Sequence, residues 1–269
     1  MFEGFYSFQN TPFSRTIPTK DLYKGDSAEL IGRLKYAAQM QLFAVVIGDS
    51  GVGKTTTLRR FCDEVKDSKY YTLYISDSKL TPRTFYKSLL EQMGFEAKHY
   101  VGEAKRQLHK EIEIMKGVDG VQPVAIVDEA HLLGKDMLEE IRFLLNFKMD
   151  SQSPMALILS GQSELWDDLK LQSHAAIRQR IDVTCVIGRL DRAQTTDYVC
   201  AQMAYAGTDR EIFTDAAIDE VFKFSGGIPR LINRACTDAL MFGAQNRKNL
   251  IDDRMVKTVV EQEIIGGLS

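Results

Sequence analysis

Leu42-Phe43-Ala44-Val45-Val46-Ile47-Gly48-Asp49-Ser50-Gly51-Val52-Gly53-Lys54-Thr55 is the stretch whose reading decides the fold. Six apolar residues without a charge read as a strand covered on both faces. They run into a complete GxxxxGKT, and a helical pattern continues through Thr56–Val65. Strand, glycine-rich turn and helix, in that order, are the setting this motif requires. The glycines let the backbone N–H groups of Gly48, Asp49, Ser50, Gly51, Val52 and Gly53 curl around phosphate oxygens, and the following helix points its positive N-terminus at them. Lys54 is placed to reach the β- and γ-phosphates. Thr55 offers its hydroxyl to a magnesium ion, and Thr56 completes the phosphate-binding turn.

A second element stands downstream. Val124-Ala125-Ile126-Val127 is another apolar strand, and it ends in Asp128-Glu129. A carboxylate at such a strand end can hold the magnesium hydration shell, and the next can polarise the water that attacks a γ-phosphate. Paired with the phosphate loop, Asp128 and Glu129 point to hydrolysis of ATP with Mg2+ rather than to binding alone. No NKxD sequence supports guanine specificity. Asp128-Glu129-Ala130-His131 also spells the DEAH of one helicase group, but such helicases join two α/β domains, and no second strand series follows here.

Working outward, Tyr71–Ile75, Ala156–Leu159 and Val183–Ile187 read as further strands alternating with helices, including one opened by Thr81 and Pro82 and one over Lys105–Met115. This repetition implies an α/β fold: a three-layer domain on a parallel sheet. After about Leu190 the strands stop. Gln194–Ala206, Asp215–Phe224, Pro229–Gln245 and Asp252–Glu263 read as helices, with Asp191 and Thr214 as caps and Gly226–Gly227 as a sharp turn. Two parts are therefore expected: residues 1–190 as the core with its aromatic N-terminal segment, and residues 191–269 as a small helical lid.

Composition agrees with this size. The 269 residues are 44% hydrophobic and 26% charged with a net charge of −3, which excludes disorder and fibrous repeats and predicts no generic attraction to nucleic acid. The apolar runs are strand-sized, well below the roughly 20 residues a membrane span needs. The first residues lack the basic-then-apolar pattern of a secretory signal. Four cysteines, Cys62, Cys185, Cys200 and Cys236, form no CxxC pair, and the histidines make no metal-binding pattern, so a cytoplasmic protein with buried thiols is expected.

On these residues the chain resembles the AAA+ ATPases of the initiator and transposition branch. The resemblance implies further roles. Ser160, or Gln162 beyond it, stands where that family keeps a polar first sensor; a satisfied strand-end hydroxyl is the other reading of Ser160. Arg178 and Arg180 lie in the region of the arginine finger that acts on a neighbouring subunit, with Arg180 preferred and a surface ion pair as the alternative. Gly227-Ile228-Pro229-Arg230 matches the opening of the helix that carries the second sensor, Arg230.

A narrower likeness is carried by Phe5–Phe8, Pro12-Phe13, Tyr23, GDSGVGKTT, VDEAH, GQSEL and GGIPRLIN, which together resemble the ExeA-type family and its stand-alone relatives of mobile elements. It implies that Phe13 and Tyr23 form an adenine platform, with a plain hydrophobic clamp as the competing reading. Secretion members continue into a membrane-spanning helix and a cell-wall-binding part. This chain stops about where the lid ends, which favours the stand-alone branch.

The function expected first is therefore an ATP-dependent regulator of transposition. It would form a homo-oligomer, as a ring or helical filament, on double-stranded DNA without base readout and recruit a transposase. The Lys79–Lys116 segment holds eight Lys/Arg, and Lys79, Arg83, Lys98, Lys105 and Arg106 are the candidate phosphate contacts, against the reading of a solvated helix face. A mechanical ATPase of secretion assembly and a signalling module are the alternatives.

Overall fold

The computed structural model describes residues 2–25, 27–66, 69–145 and 153–266. Its helices are α1 (Phe2–Tyr6), α2 (Ser27–Met40), α3 (Lys54–Val65), α4 (Pro82–Gln92), α5 (Val101–Val118), α6 (Lys135–Leu145), α7 (Ser163–Lys170), α8 (Ala175–Arg178), α9 (Arg192–Tyr205), α10 (Asp215–Ser225), α11 (Pro229–Gln245) and α12 (Asp253–Gly266). The strands are β1 (Phe43–Ile47), β2 (Tyr70–Ile75), β3 (Gln122–Val127), β4 (Ala156–Gly161) and β5 (Val183–Val186), all parallel in the order β2-β3-β4-β1-β5.

The chain divides into two compact units, one of residues 26–50 and 54–187 and the other of residues 1–25, 51–53 and 188–269. In the sheet unit, the period-2 alternation of strand side chains decides the layers. Phe43, Val45, Val127, Leu157 and Leu159 face a core built with Phe85, Leu89, Leu108 and Ile141 of α4, α5 and α6. Ala44, Val46, Ile126 and Ile158 face the opposite side, against Leu34, Leu58 and Phe61 of α2 and α3. With both faces covered, central strands carry no polar interruption, as β1 and β3 show. Thr81 accepts the Thr84 N–H and Thr84 reciprocates, so α4 starts at a closed capping box with Pro82 in its first turn.

The other unit is helical. α9 opens on a capping box between Asp191 and Gln194, and α10 on Thr214. α10 ends at Gly226 in the left-handed region, and Pro229 opens α11. Residues 1–25 group with this unit and not with the sheet, where the sequence reading placed them. The reason is burial: Phe2, Tyr6 and Phe13 share a core with Val199, Met203, Phe213, Leu240 and Met255. Backbone polar groups go with them, since the Gln9 N–H donates to the Ala206 carbonyl at 2.8 Å and the Phe13 N–H to Gln202 Oε1 at 2.7 Å. α2, which the sequence reading left unassigned, fills the face beneath β1 and β4.

Candidate functional site

β1 delivers the chain to Gly48, and α3 takes it up at Lys54. Between them Gly51 (φ 83°) and Gly53 (φ 106°) adopt backbone conformations that favour glycine. The Gly48 N–H donates to the Gly161 carbonyl at 3.3 Å, which fixes the loop's first residue to the end of β4. Lys54 is 7% exposed, and its Nζ donates to the carbonyls of Gly48 (2.7 Å) and Asp49 (2.9 Å), so its ammonium lies inside the turn of its own loop. Thr55 and Thr56 follow as exposed residues of the first turn of α3.

The acidic pair ends β3. Asp128 is 2% exposed, and each oxygen is used. Oδ1 accepts the Glu129 N–H at 2.9 Å, while Oδ2 accepts the Thr55 hydroxyl at 2.8 Å and the Tyr74 phenol at 2.9 Å. The Thr55–Asp128 bond unites the two motifs. Hard oxygen donors of this kind are what a magnesium ion selects, so the residues present fit the cation the motifs imply. Thr55 and Asp128 would hold it, and it would neutralise charge on the bound phosphates. Among the described residues no group of three or more His, Cys, Asp or Glu could hold another metal.

Glu129 sits at φ 53°, a left-handed conformation unusual for a side chain of its size. That turn redirects the chain into a short 3-10 helix, Ala130–Leu132, and leaves the Glu129 carboxylate 46% exposed. Its Oε2 lies 3.5 Å from His131 Nδ1, too long for a hydrogen bond. The other ring nitrogen of His131 meets the Gln162 amide nitrogen at 3.1 Å. With the amide donating, the imidazole carries its proton on Nδ1, toward Glu129. Of the two sensor candidates, it is therefore Gln162 that connects to the neighbourhood of Glu129. Ser160 is fully buried in β4, and its hydroxyl makes no hydrogen bond.

Tyr74 is the residue the sequence reading missed. Burial and the bond to Asp128 push its phenol well above the ordinary tyrosine range. The only sequence signal is positional: it lies on β2 in register with Ile126, two residues before Asp128.

Arg178 Nη1 donates to the carbonyls of Lys170 (2.6 Å) and Leu169 (3.3 Å), closing the C-terminus of α7. Arg180 follows α8 and is half-buried. In the helical unit Arg230 is exposed at the start of α11, and its N–H donates to the carbonyl of Gly51, which groups with that unit, at 3.3 Å. Phe13 is 6% exposed and meets Phe213 edge-to-face, and Tyr23 meets Tyr198 likewise. Of the basic residues, Lys79, Lys98 and Arg106 are exposed. Arg83 contacts His99 at 3.3 Å. Lys105, a candidate phosphate contact, bonds Glu140 at 2.8 Å, beside Phe143, because Glu140 on α6 is already drawn inward by the Tyr86 hydroxyl.

The sheet order, the phosphate loop and the carboxylate it meets define a P-loop fold of the AAA+ type. Residues 38–169 match the family model described as an AAA domain. It is 29% identical over 244 residues to general secretion pathway protein A of Aeromonas hydrophila, covering 90% of this chain and 44% of that protein. It is 26% identical over 137 residues to ATP-dependent target DNA activator B of Escherichia phage Mu, covering 51% of this chain and 40% of that protein. The chain thus spans less than half the length of either. Among solved structures, Drosophila ORC bound to DNA superposes with a TM-score of 0.71 at 17% identity over 98% of this chain and 65% of that one, a likeness of fold. No helix among the described residues is long and apolar enough to cross a membrane.

Proposed function

We propose that this chain is a magnesium-dependent ATPase that assembles on double-stranded DNA when ATP bridges its subunits, without base readout, and recruits or regulates a transposase in the cytoplasm. The observation that carries the ATPase part is the 2.8 Å bond from Thr55 to Asp128, which joins loop and acidic strand into one site. In this reading the loop amides and Lys54 bind the phosphates, and Glu129 takes the proton of the attacking water. Arg180 acts on a neighbouring subunit's γ-phosphate, and Arg230 and Gln162 report nucleotide state. The DNA part rests on the likeness to the phage Mu activator and on the exposed Lys79, Lys98 and Arg106.

One observation favours a second reading. The likeness to the secretion protein runs over 90% of the chain, against 51% for the phage protein. An ATPase that drives assembly of a protein complex is therefore the alternative. Cosedimentation with duplex DNA separates the two. ATP-dependent binding that weakens steeply with salt is expected; ATPase activity with no salt-sensitive DNA affinity would overturn the DNA reading and leave the alternative.

A further inference from the structure

We propose that Tyr74 is a positioning residue for the magnesium site, holding the Asp128 carboxylate in its metal-facing orientation, and that Gln92 holds Tyr74 in turn. This rests on the Mg–ATP reading above. Thr55 belongs to the phosphate loop, and the Glu129 N–H to the residue next in chain, so both donors move with the parts they would have to steady. Tyr74 reaches Asp128 Oδ2 from a different strand, at 2.9 Å. A hydroxyl donating to a buried carboxylate is a charge-assisted bond, and it fixes which way that carboxylate turns.

The weakness of such an anchor is its place on β2, an edge of the sheet. Edge residues have backbone groups with no neighbouring strand. Gln92, the last residue of α4, supplies that partner. Its Oε1 accepts the Tyr74 N–H at 3.0 Å, and its Nε2 donates to the Tyr74 carbonyl at 3.1 Å. Its own carbonyl accepts the Tyr71 hydroxyl at 2.7 Å. One carboxamide thus stands in for a strand at the residue of β2 whose side chain holds Asp128. A shift of about 1 Å at the phenol oxygen would take the bond beyond hydrogen-bonding range.

The test is binding of a fluorescent ADP derivative at fixed concentration, titrated with magnesium chloride, for the wild type, Tyr74→Phe, Gln92→Ala and the double variant. Tyr74→Phe should raise the magnesium midpoint about fivefold, as loss of one charge-assisted bond partly open to water predicts. Affinity in EDTA should stay at the wild-type value, and the melting temperature should fall by no more than a few degrees, the cost of the same bond. Gln92→Ala should raise the midpoint about two- to threefold, and the double variant no further than Tyr74→Phe alone, since both act through one bond. An unmoved midpoint in Tyr74→Phe, or an equal loss of affinity in EDTA, would overturn the proposal. Additive effects in the double variant would remove Gln92 from it. A wild type whose ADP binding ignores magnesium would instead sink the Mg–ATP reading itself.

Discussion

Two adjacent glycines let the helical unit be tested with a built-in control. Gly226 (φ 54°) and Gly227 (φ 76°) form the turn between α10 and α11, and both lie in the left-handed region. A Cβ added at Gly226 would have Arg189 Nη1 as its nearest neighbour at 3.6 Å, an ordinary contact. Gly226→Ala should therefore cost only the left-handed conformation, about 1–2 kcal/mol. A Cβ at Gly227 would instead collide with the Leu190 carbonyl oxygen and stand 3.1 Å from the Leu190 nitrogen. That same nitrogen donates to the Gly227 carbonyl at 2.9 Å, so the backbone cannot yield without losing the bond. Adding about 1 kcal/mol for the bond and about 1–3 for overpacking brings Gly227→Ala to about 3–6 kcal/mol. Calorimetry on the two variants should show Gly227→Ala lowering Tm roughly two to three times as far as Gly226→Ala, at about 2–4 °C per kcal/mol for a chain of this size. Equal shifts would refute the close approach of Gly227 to Leu190, and with it the turn that starts the helix of Arg230.

Glu129→Gln should leave ADP affinity unchanged and slow ATP turnover by about 10²–10⁴-fold, the range for a lost general base, measured by phosphate release; normal turnover would remove Glu129 from that role. Arg178→Ala should lower Tm by about 2–6 °C, because two α7 carbonyls lose their donor, whereas Arg180→Ala should keep nucleotide binding but lose hydrolysis. The reverse pattern would exchange the two assignments. Burial pushes the Cys236 thiol far up and the Cys62 thiol up to about 11, so both stay protonated at pH 8. Cys200 is exposed, and a short iodoacetamide pulse read by peptide mapping should label it first. Labelling of Cys236 at the same rate would contradict its burial.

The fold was legible where the physics is local. A short uncharged apolar run bounded by turn signals reads as a strand covered on both faces, and β1, β3 and β4 stand where Leu42–Ile47, Val124–Val127 and Ala156–Leu159 were read, within a residue or two. Thr81, Asp191 and Thr214 cap helices because a side-chain oxygen beside orphan N–H groups has one good use. What failed was long-range. Phe2, Tyr6 and Phe13 announce burial, but nothing in their spacing says against which part of the chain. Their partners, Val199 and Phe213 among them, lie about two hundred residues on. Tyr74 was invisible for the same reason: a tyrosine in a strand reads as ordinary β-propensity until the register places its hydroxyl beside Asp128.

The basic segment shows why counting charges misjudges a nucleic-acid surface. Lys105 looked equivalent to Lys98 in sequence, yet it is committed to Glu140, a carboxylate that also binds the Tyr86 hydroxyl at 2.5 Å. Withdrawing Lys105 would leave a largely buried carboxylate without its cation, so a phosphate would have to outbid a partner that is already desolvated. Lys79, Lys98 and Arg106 have no such conflict in their exposure, and each phosphate they meet contributes about −0.9 to the slope of log affinity against log salt. Under the proposed function, three such contacts per subunit would be weak alone and would become substantial only if ATP-bridged subunits repeated them along one duplex. A net charge of −3 is therefore compatible with DNA binding for an assembly and unfavourable for a lone subunit, which makes ATP-dependent assembly the step on which the proposed function turns.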